Sequence, residues 1–392
     1  MGYNSGVMKT QPLLLVCGFL SAISQPLAGQ HRHAHPPVDP SPAQNKVQIA
    51  LLLDTSNSMD GLIDQAKTQL WKVVNTFIDA RRDGQAPFVE VALYEYGNNN
   101  QPVGNNYIRQ VQPLTRDLDE ISKQMFALKT NGGDEYCGAV IQRALADLTW
   151  DSNPKTYKVI FIAGNEPFTQ GPVEPRQVCR EGFSKGLIIN TIHCGSRDEG
   201  ISGSWHDGAA LGGGKFMVIN QDRRVCHITA PQDAKISDLG IELNKTYLGY
   251  GKNRSACAEK QSSADHDAVA NAQAGAAVQR AITKASANYS NAAWDLVDAT
   301  RDQQIDPAAI PAEELPAEMR ALKPQARAAY IETAAKDRAA IQARITELNV
   351  QREAYVAAEL KKQAAAGTQT LDEVMVETTR MQASALGYQF GK

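Results

Sequence analysis

The chain has 392 residues, is 43% apolar and carries a formal net charge of −3. That length allows two or three domains of ordinary globular make-up. The balanced charge excludes a bulk electrostatic case for nucleic-acid binding. At the start, Lys9 precedes an apolar stretch from Pro12 to Ile23, with small residues at Ala22, Ser24, Ala28 and Gly29. This layout predicts a secretory signal peptide over residues 1–29, and so an exported protein, periplasmic or secreted. The stretch is short for a transmembrane helix, and no later segment is apolar enough to span a bilayer. Residues 30–45, with His31, His33, His35 and several prolines, read as an exposed linker. Export permits disulfides. Beyond Cys17 there are five cysteines, Cys137, Cys179, Cys194, Cys226 and Cys257, so an odd thiol is left over.

From Lys46 to about Gly251 strand and helix signals alternate. Val47 to Leu53 is a continuous apolar run, the mark of a strand buried on both faces. Leu62, Ala66, Leu70, Val73, Val74 and Phe77 form a helical stripe within Asp60 to Ala80. Phe88 to Tyr96 predicts a strand ended by Gly97, with a shorter partner at Ile108 to Val111. Helices follow at Leu118 to Leu128 and Ala139 to Leu148. Lys158 to Ala163 and Leu187 to His193 are further buried strands. Phe216 to Ile219 and Val225 to Thr229 read as the last strand with a turn at Asp222, and Ala234 to Leu248 as the closing helix. Alternation at these lengths implies an α/β fold, a doubly wound and mostly parallel sheet covered on both faces.

Residues 256–392 change character, being rich in Ala, Glu, Lys, Arg and Gln with almost no strand signal. Helices are predicted at about Asp265 to Thr300, Gln325 to Lys362 and Leu371 to Leu386, with Pro307, Pro311, Pro316 and Pro324 punctuating the gap between the first two. In the long helix Ala334, Ile341, Leu348 and Tyr355 recur every seven residues. Ile331 and Ile345 lie on the adjoining row, which Arg338 and Arg352 interrupt. A narrow helix–helix seam follows, and with it a route to oligomers through the C-terminal helices. Trp294, Leu296 and Val297 read as core, and Tyr388 and Phe390 as a docking element.

The residues that carry chemistry lie just after the first strand. Asp54, Ser56 and Ser58 place one carboxylate and two hydroxyls at alternate positions of a short loop. Open α/β sheets bind ligands in that crevice, and hard oxygen donors suit Mg²⁺, with Mn²⁺ or Ca²⁺ as alternatives. The simpler role for Asp54 or Ser56 is to cap the next helix.

Residues 46–251 resemble a von Willebrand factor A domain, and Asp54-Thr-Ser56-Asn-Ser58 resembles its metal-ion-dependent adhesion site. In that family a threonine from a later loop and an aspartate after the next buried strand complete the site. Asp134 falls where the threonine belongs and Gly164 where the aspartate belongs. The resemblance thus implies a divalent cation held by Asp54, Ser56, Ser58 and Asp134, with Glu166 able to reach it and Glu135 behind. Asn165, Thr169 and Glu135 would form a rim facing an unknown protein partner. Asp134 also suits a helix N-cap. A carboxylate bound directly at that position would partly neutralise the cation and weaken capture of an acidic ligand.

A cation-dependent protein–protein binding role follows, or a cell-envelope scaffold in which the cation only steadies the loops. A thiol enzyme built on Cys137 and His193 is a distant third, since no complete nucleophile, base or cofactor motif appears.

Overall fold

A computed structural model describes residue 2 and residues 45–219, 227–270, 275–302, 304–363 and 371–390. The expected signal peptide, the linker histidines and Cys226 lie outside the described residues. No helix among those described is long and apolar enough to cross a membrane.

Residues 44–392 form one compact unit. At its centre is a six-stranded sheet of order β3-β2-β1-β4-β5-β6. The strands are β1 (Lys46–Asp54), β2 (Phe88–Tyr96), β3 (Arg109–Thr115), β4 (Tyr157–Gly164), β5 (Ile188–Cys194) and β6 (Gly213–Ile219). All pairs are parallel except β2 with β3, which closes one edge antiparallel. β1 is buried from Val47 onward and β4 along its whole length, because both faces are covered. Val47, Ile49, Leu51 and Leu53 point to one face and Ala50 and Leu52 to the other, as the two-residue pleat requires.

On the second face lie α3 (Cys137–Asp147), α4 (Pro175–Ser184) and α6 (Trp205–Leu211), through Val140, Ile141, Val178 and Trp205. The first face is covered by α1 (Asp60–Asn75), α2 (Leu118–Phe126) and, from the far end of the chain, α12 (Leu371–Ala385). Sequence periodicity missed α4, α6 and the short α5 (Arg197–Ser202) between them. Among the described residues the last strand is Gly213–Ile219, and residues 227–229, expected to be extended, are irregular.

The C-terminal segment docks as its aromatics suggest. Tyr388 and Phe390 lie 6.4 and 6.1 Å from the ring of Phe77. The Tyr388 hydroxyl donates to the Lys46 carbonyl at 3.0 Å. Gln382, buried on α12, accepts from the Tyr157 hydroxyl at 2.8 Å and donates to Asn190 Oδ1 at 2.7 Å. The sheet core therefore recruits a helix from far along the chain, Gln382 lying 192 residues beyond Asn190.

The remaining helices are α7 (Asp233–Asn244), α8 (Arg254–Ala270), α9 (Ala276–Lys284), α10 (Leu296–Arg301) and the 40-residue α11 (Pro324–Gln363). The long helix expected over Asp265 to Thr300 is thus three shorter ones. The seam on α11 is also shifted. Ile331, Arg338, Ile345 and Arg352 are its buried row, while Tyr355 is exposed. Here the arginines hold the seam together.

Arg338 lies between Asp295 (2.7 Å) and Asp298 (3.0 Å), stacked 4.2 Å from the centre of the Tyr247 ring. Arg352 pairs with Asp233 at 2.8 Å, and Asp233 also meets His227 at 2.7 Å. On α9, Arg280 bridges Asp119 of α2 (2.6 Å) and Asp265 of α8 (2.5 Å), over the Trp71 ring. Asn244 donates to Asp265 at 2.6 Å and accepts from Lys284, extending the Arg280 cluster.

Breaking such a pair leaves a buried charge uncompensated, at a cost of about 3–5 kcal/mol. Arg338→Ala should lower unfolding stability by about that amount in urea titrations, and Arg338→Ala combined with Asp295→Asn and Asp298→Asn should recover part of the loss.

Candidate functional site

β1 lies where the strand order reverses, between β2 and β4, so its carboxyl end opens on the crevice where doubly wound sheets take ligands. Asp54 is the last residue of β1 and fully buried. Its Oδ1 accepts from the Ser56 backbone N–H at 2.8 Å, and its Oδ2 has no hydrogen-bond partner. The loop beyond it is pinned on two sides, with the Thr55 N–H donating to the Tyr96 carbonyl and the Asn131 N–H to the Thr55 carbonyl, each at 2.9 Å. Ser56 Oγ and Ser58 Oγ stand 3.3 Å apart, and the Asn165 amide, from the loop after β4, donates to Ser58 Oγ at 3.1 Å. Asp54, Ser56, Ser58 and Asn165 are thus brought together.

The loop before α3 resolves two adjacent acids. Asp134 is exposed and accepts from the Tyr136 hydroxyl at 2.9 Å. Glu135 is buried and hydrogen-bonded by Ser56. The second carboxylate beside Asp54 is therefore Glu135, where the sequence reading ranked Asp134 first. Asp134 is no helix cap either, since Tyr136 is the N-cap of α3. Gly97, in the left-handed region at φ +75°, makes the approach possible. A Cβ there would lie 2.8 Å from Glu135 Cγ and 3.0 Å from Asp54 Oδ1. Glu166 is half-buried, its carbonyl held by the Trp205 indole at 2.8 Å. Thr169 is exposed and lines the same crevice as His193.

Gly164 also has a physical reason. A Cβ on it would sit 2.5 Å from the Tyr96 hydroxyl and 3.0 Å from Asp54 Oδ2. The buried phenol of Tyr96, donating to the Ala163 carbonyl at 2.9 Å, fills the space an aspartate side chain would need.

Burial pushes the Asp54 carboxyl up to about 7, with Glu135 and Glu166 adding to the shift. Glu135 rises to about 7 for the same reason, with Glu166 the chief like charge. Two buried acids near neutrality, an orphaned carboxylate oxygen and two loop hydroxyls fit a hard divalent cation. Among the described residues no three His, Cys, Asp or Glu side chains cluster as a metal cage, so a cation here leans on the serine hydroxyls and Asn165.

Cys137 offers no nucleophile. It is buried, its Sγ lies 3.7 Å from the Tyr96 hydroxyl, and burial drives its pKa far up. Neither ring nitrogen of His193 has a partner, so no Cys–His pair forms.

The fold is a doubly wound, mostly parallel α/β sheet covered by helices on both faces. No protein-family model and no curated protein matches the sequence. Among solved structures the chain is similar to proximal thread matrix protein 1 of the mussel byssus (14% identity, covering 44% of this chain and 41% of that one, TM-score 0.34). It is also similar to the SpRpn10 VWA domain (16%, 46% and 90%, 0.34) and to BatB from Bacteroides thetaiotaomicron (13%, 44% and 90%, 0.33). The chain thus spans less than half the length of the thread protein.

Two outcomes are expected. Gly164→Ala should destabilise by about 1–3 kcal/mol through overpacking, and Tyr96→Phe should relieve much of that in a double-mutant cycle. Asp54 and Glu135 have folded pKa values raised above those of the unfolded chain, so below about pH 4 both states are protonated and no penalty applies. As pH rises from about 4 to 7 the unfolded chain ionises first, and metal-free protein loses stability. Over the same rise the protons leave the site, so Mg²⁺ or Mn²⁺ affinity by calorimetry should strengthen about tenfold or more between pH 6 and 8.

Proposed function

We propose that this protein is exported and binds another protein at a divalent-cation site, with Mg²⁺ as the first choice of ion. Asp54, Ser56 and Ser58 would hold the ion, with Glu135 as second carboxylate, Glu166 within the same field and Asn165 and Thr169 at the rim. The observation that carries this reading is the buried, unpartnered Oδ2 of Asp54 beside two hydroxyls and a second buried acid. Such an atom costs about 1–3 kcal/mol when nothing satisfies it, and a cation at the mouth of the loop would do so. When bound, the ion supplies a Lewis-acidic contact for an oxygen atom of the partner.

With Asp54 and Glu135 offsetting the charge of one dication and Glu166 in the same field, the site carries no excess positive charge. It therefore disfavours an acidic partner group and favours a neutral or basic one.

A scaffold reading draws on the bolted C-terminal region, which makes sheet and tail one unit. Calorimetric titration of metal-stripped protein separates the cases. Mg²⁺ or Mn²⁺ should give binding heat that Asp54→Ala abolishes; heat that persists in Asp54→Ala would sink the site. EDTA should lower the melting temperature strongly if the ion is structural, and only slightly if it serves binding.

A further inference from the structure

Next to the cation loop, at the carboxyl ends of β4 and β5, lies a crevice of about 410 Å³ whose lining includes Asn165, Thr169, His193, Glu199 and Ser202. That volume suits one partner side chain together with its backbone. Asn165 is common to both places, because its amide reaches Ser58 of the cation loop.

Among its lining residues is His193, next to last in β5 and 3% exposed. Its ring lies 5.7 Å from that of Trp205. Both ring nitrogens are buried without a hydrogen-bond partner. A buried imidazole left in this state is costly, and its side chain lines the crevice. Desolvation keeps the ring neutral, so one nitrogen is an acceptor.

Glu199 stands on the wall. Its Oε2 accepts from the Ser196 N–H at 2.9 Å within a capping box, which orients the carboxylate and keeps it ionised. No lysine or arginine is among the lining residues. The crevice therefore offers acceptors in a negative field, namely Glu199, the Asn165 amide oxygen and a His193 lone pair, and it adjoins the carboxylate-rich cation loop.

We infer that this crevice is the second half of the binding site and takes the guanidinium of an arginine on the partner. The inference rests on the cation-site reading only for the crevice's neighbour. A guanidinium is a planar fork of five donors and no acceptor, which matches a carboxylate, an amide oxygen and an imidazole lone pair. An acidic side chain meets Glu199. An apolar one leaves His193 unsatisfied.

The test uses the full chain with ¹⁵N-labelled histidine in saturating Mg²⁺, titrated with Nα-acetyl-arginine methylamide. The His193 ring signals should shift saturably, while Nα-acetyl-glutamine methylamide should leave them in place. Glu199→Gln retains an acceptor for the capping bond and should weaken the arginine probe about tenfold; His193→Phe, if folded by its melting curve, should weaken it likewise. Absence of a His193 shift, equal binding of the glutamine probe, or unchanged affinity in Glu199→Gln overturns the inference. Calorimetry with Mg²⁺ on the same samples keeps the two ideas apart. Mg²⁺ heat with no arginine shift removes the crevice assignment alone. An arginine shift with no Mg²⁺ heat supports the crevice and removes the cation reading.

Discussion

A carboxylate buried at the end of the central strand, with one oxygen unpartnered, sets the terms for the whole edge of the sheet. Ionised, it bears a desolvation cost; protonated, it gives up its charge near neutral pH. The neighbours are selected around it. Gly97 and Gly164 lack side chains where a Cβ would press on Asp54 or on the groups beside it, and the Tyr96 phenol closes the space beside Gly164. Glu135 then brings a second acid against the first instead of a compensating lysine or arginine. Clustered like charges destabilise a fold unless something else is bound between them, and a dication is the simplest occupant for oxygen donors of this kind.

The opposite policy governs the C-terminal region. Each buried cation there has an anion in contact: Arg280 with Asp119 and Asp265, Arg338 with Asp295 and Asp298, Arg352 with Asp233. Buried ion pairs add little net stability over apolar packing, yet they are intolerant of misplacement because a stranded charge is so costly. They fix which helix face meets which. The contrast sharpens the reading of the cation loop, where the acids stand against one another while these three arginines are each paired.

Strands were legible because β1 and β4 carry long apolar runs, Ile49 to Leu53 and Val159 to Ala163, and β2 and β5 are rich in β-branched and aromatic residues. Helix α4 was not, since Val178 and Cys179 are almost its only apolar contacts; α5 and α6 are short and broken by glycine. On α11 an apolar count favours the Ala334 row, whereas the buried row carries two arginines whose aspartates lie about 40 and 119 residues away in sequence. No local pattern announces such partners. The site shows the same limit at finer grain. Spacing located the Asp134–Glu135 pair, but adjacent residues of similar chemistry differ only in which way the backbone turns them. Gly97, in a turn expected from sequence, was the one signal that a side chain must pass close by.

Strand β1 joins the two policies. At its start the Lys46 carbonyl takes the Tyr388 hydroxyl, anchoring the end of the chain. At its finish Asp54 carries the cation loop, roughly 25 Å away at 3.3 Å per residue. Between them every residue from Val47 onward is buried, so the strand is held from both faces and cannot slide to serve one end at the expense of the other. A register slip of one residue would turn every side chain to the wrong face and would carry Asp54 out of reach of Ser56 and Glu135. The C-terminal strap, by filling the first face of the sheet and tying down the start of β1, therefore helps hold the cation loop in register without touching it.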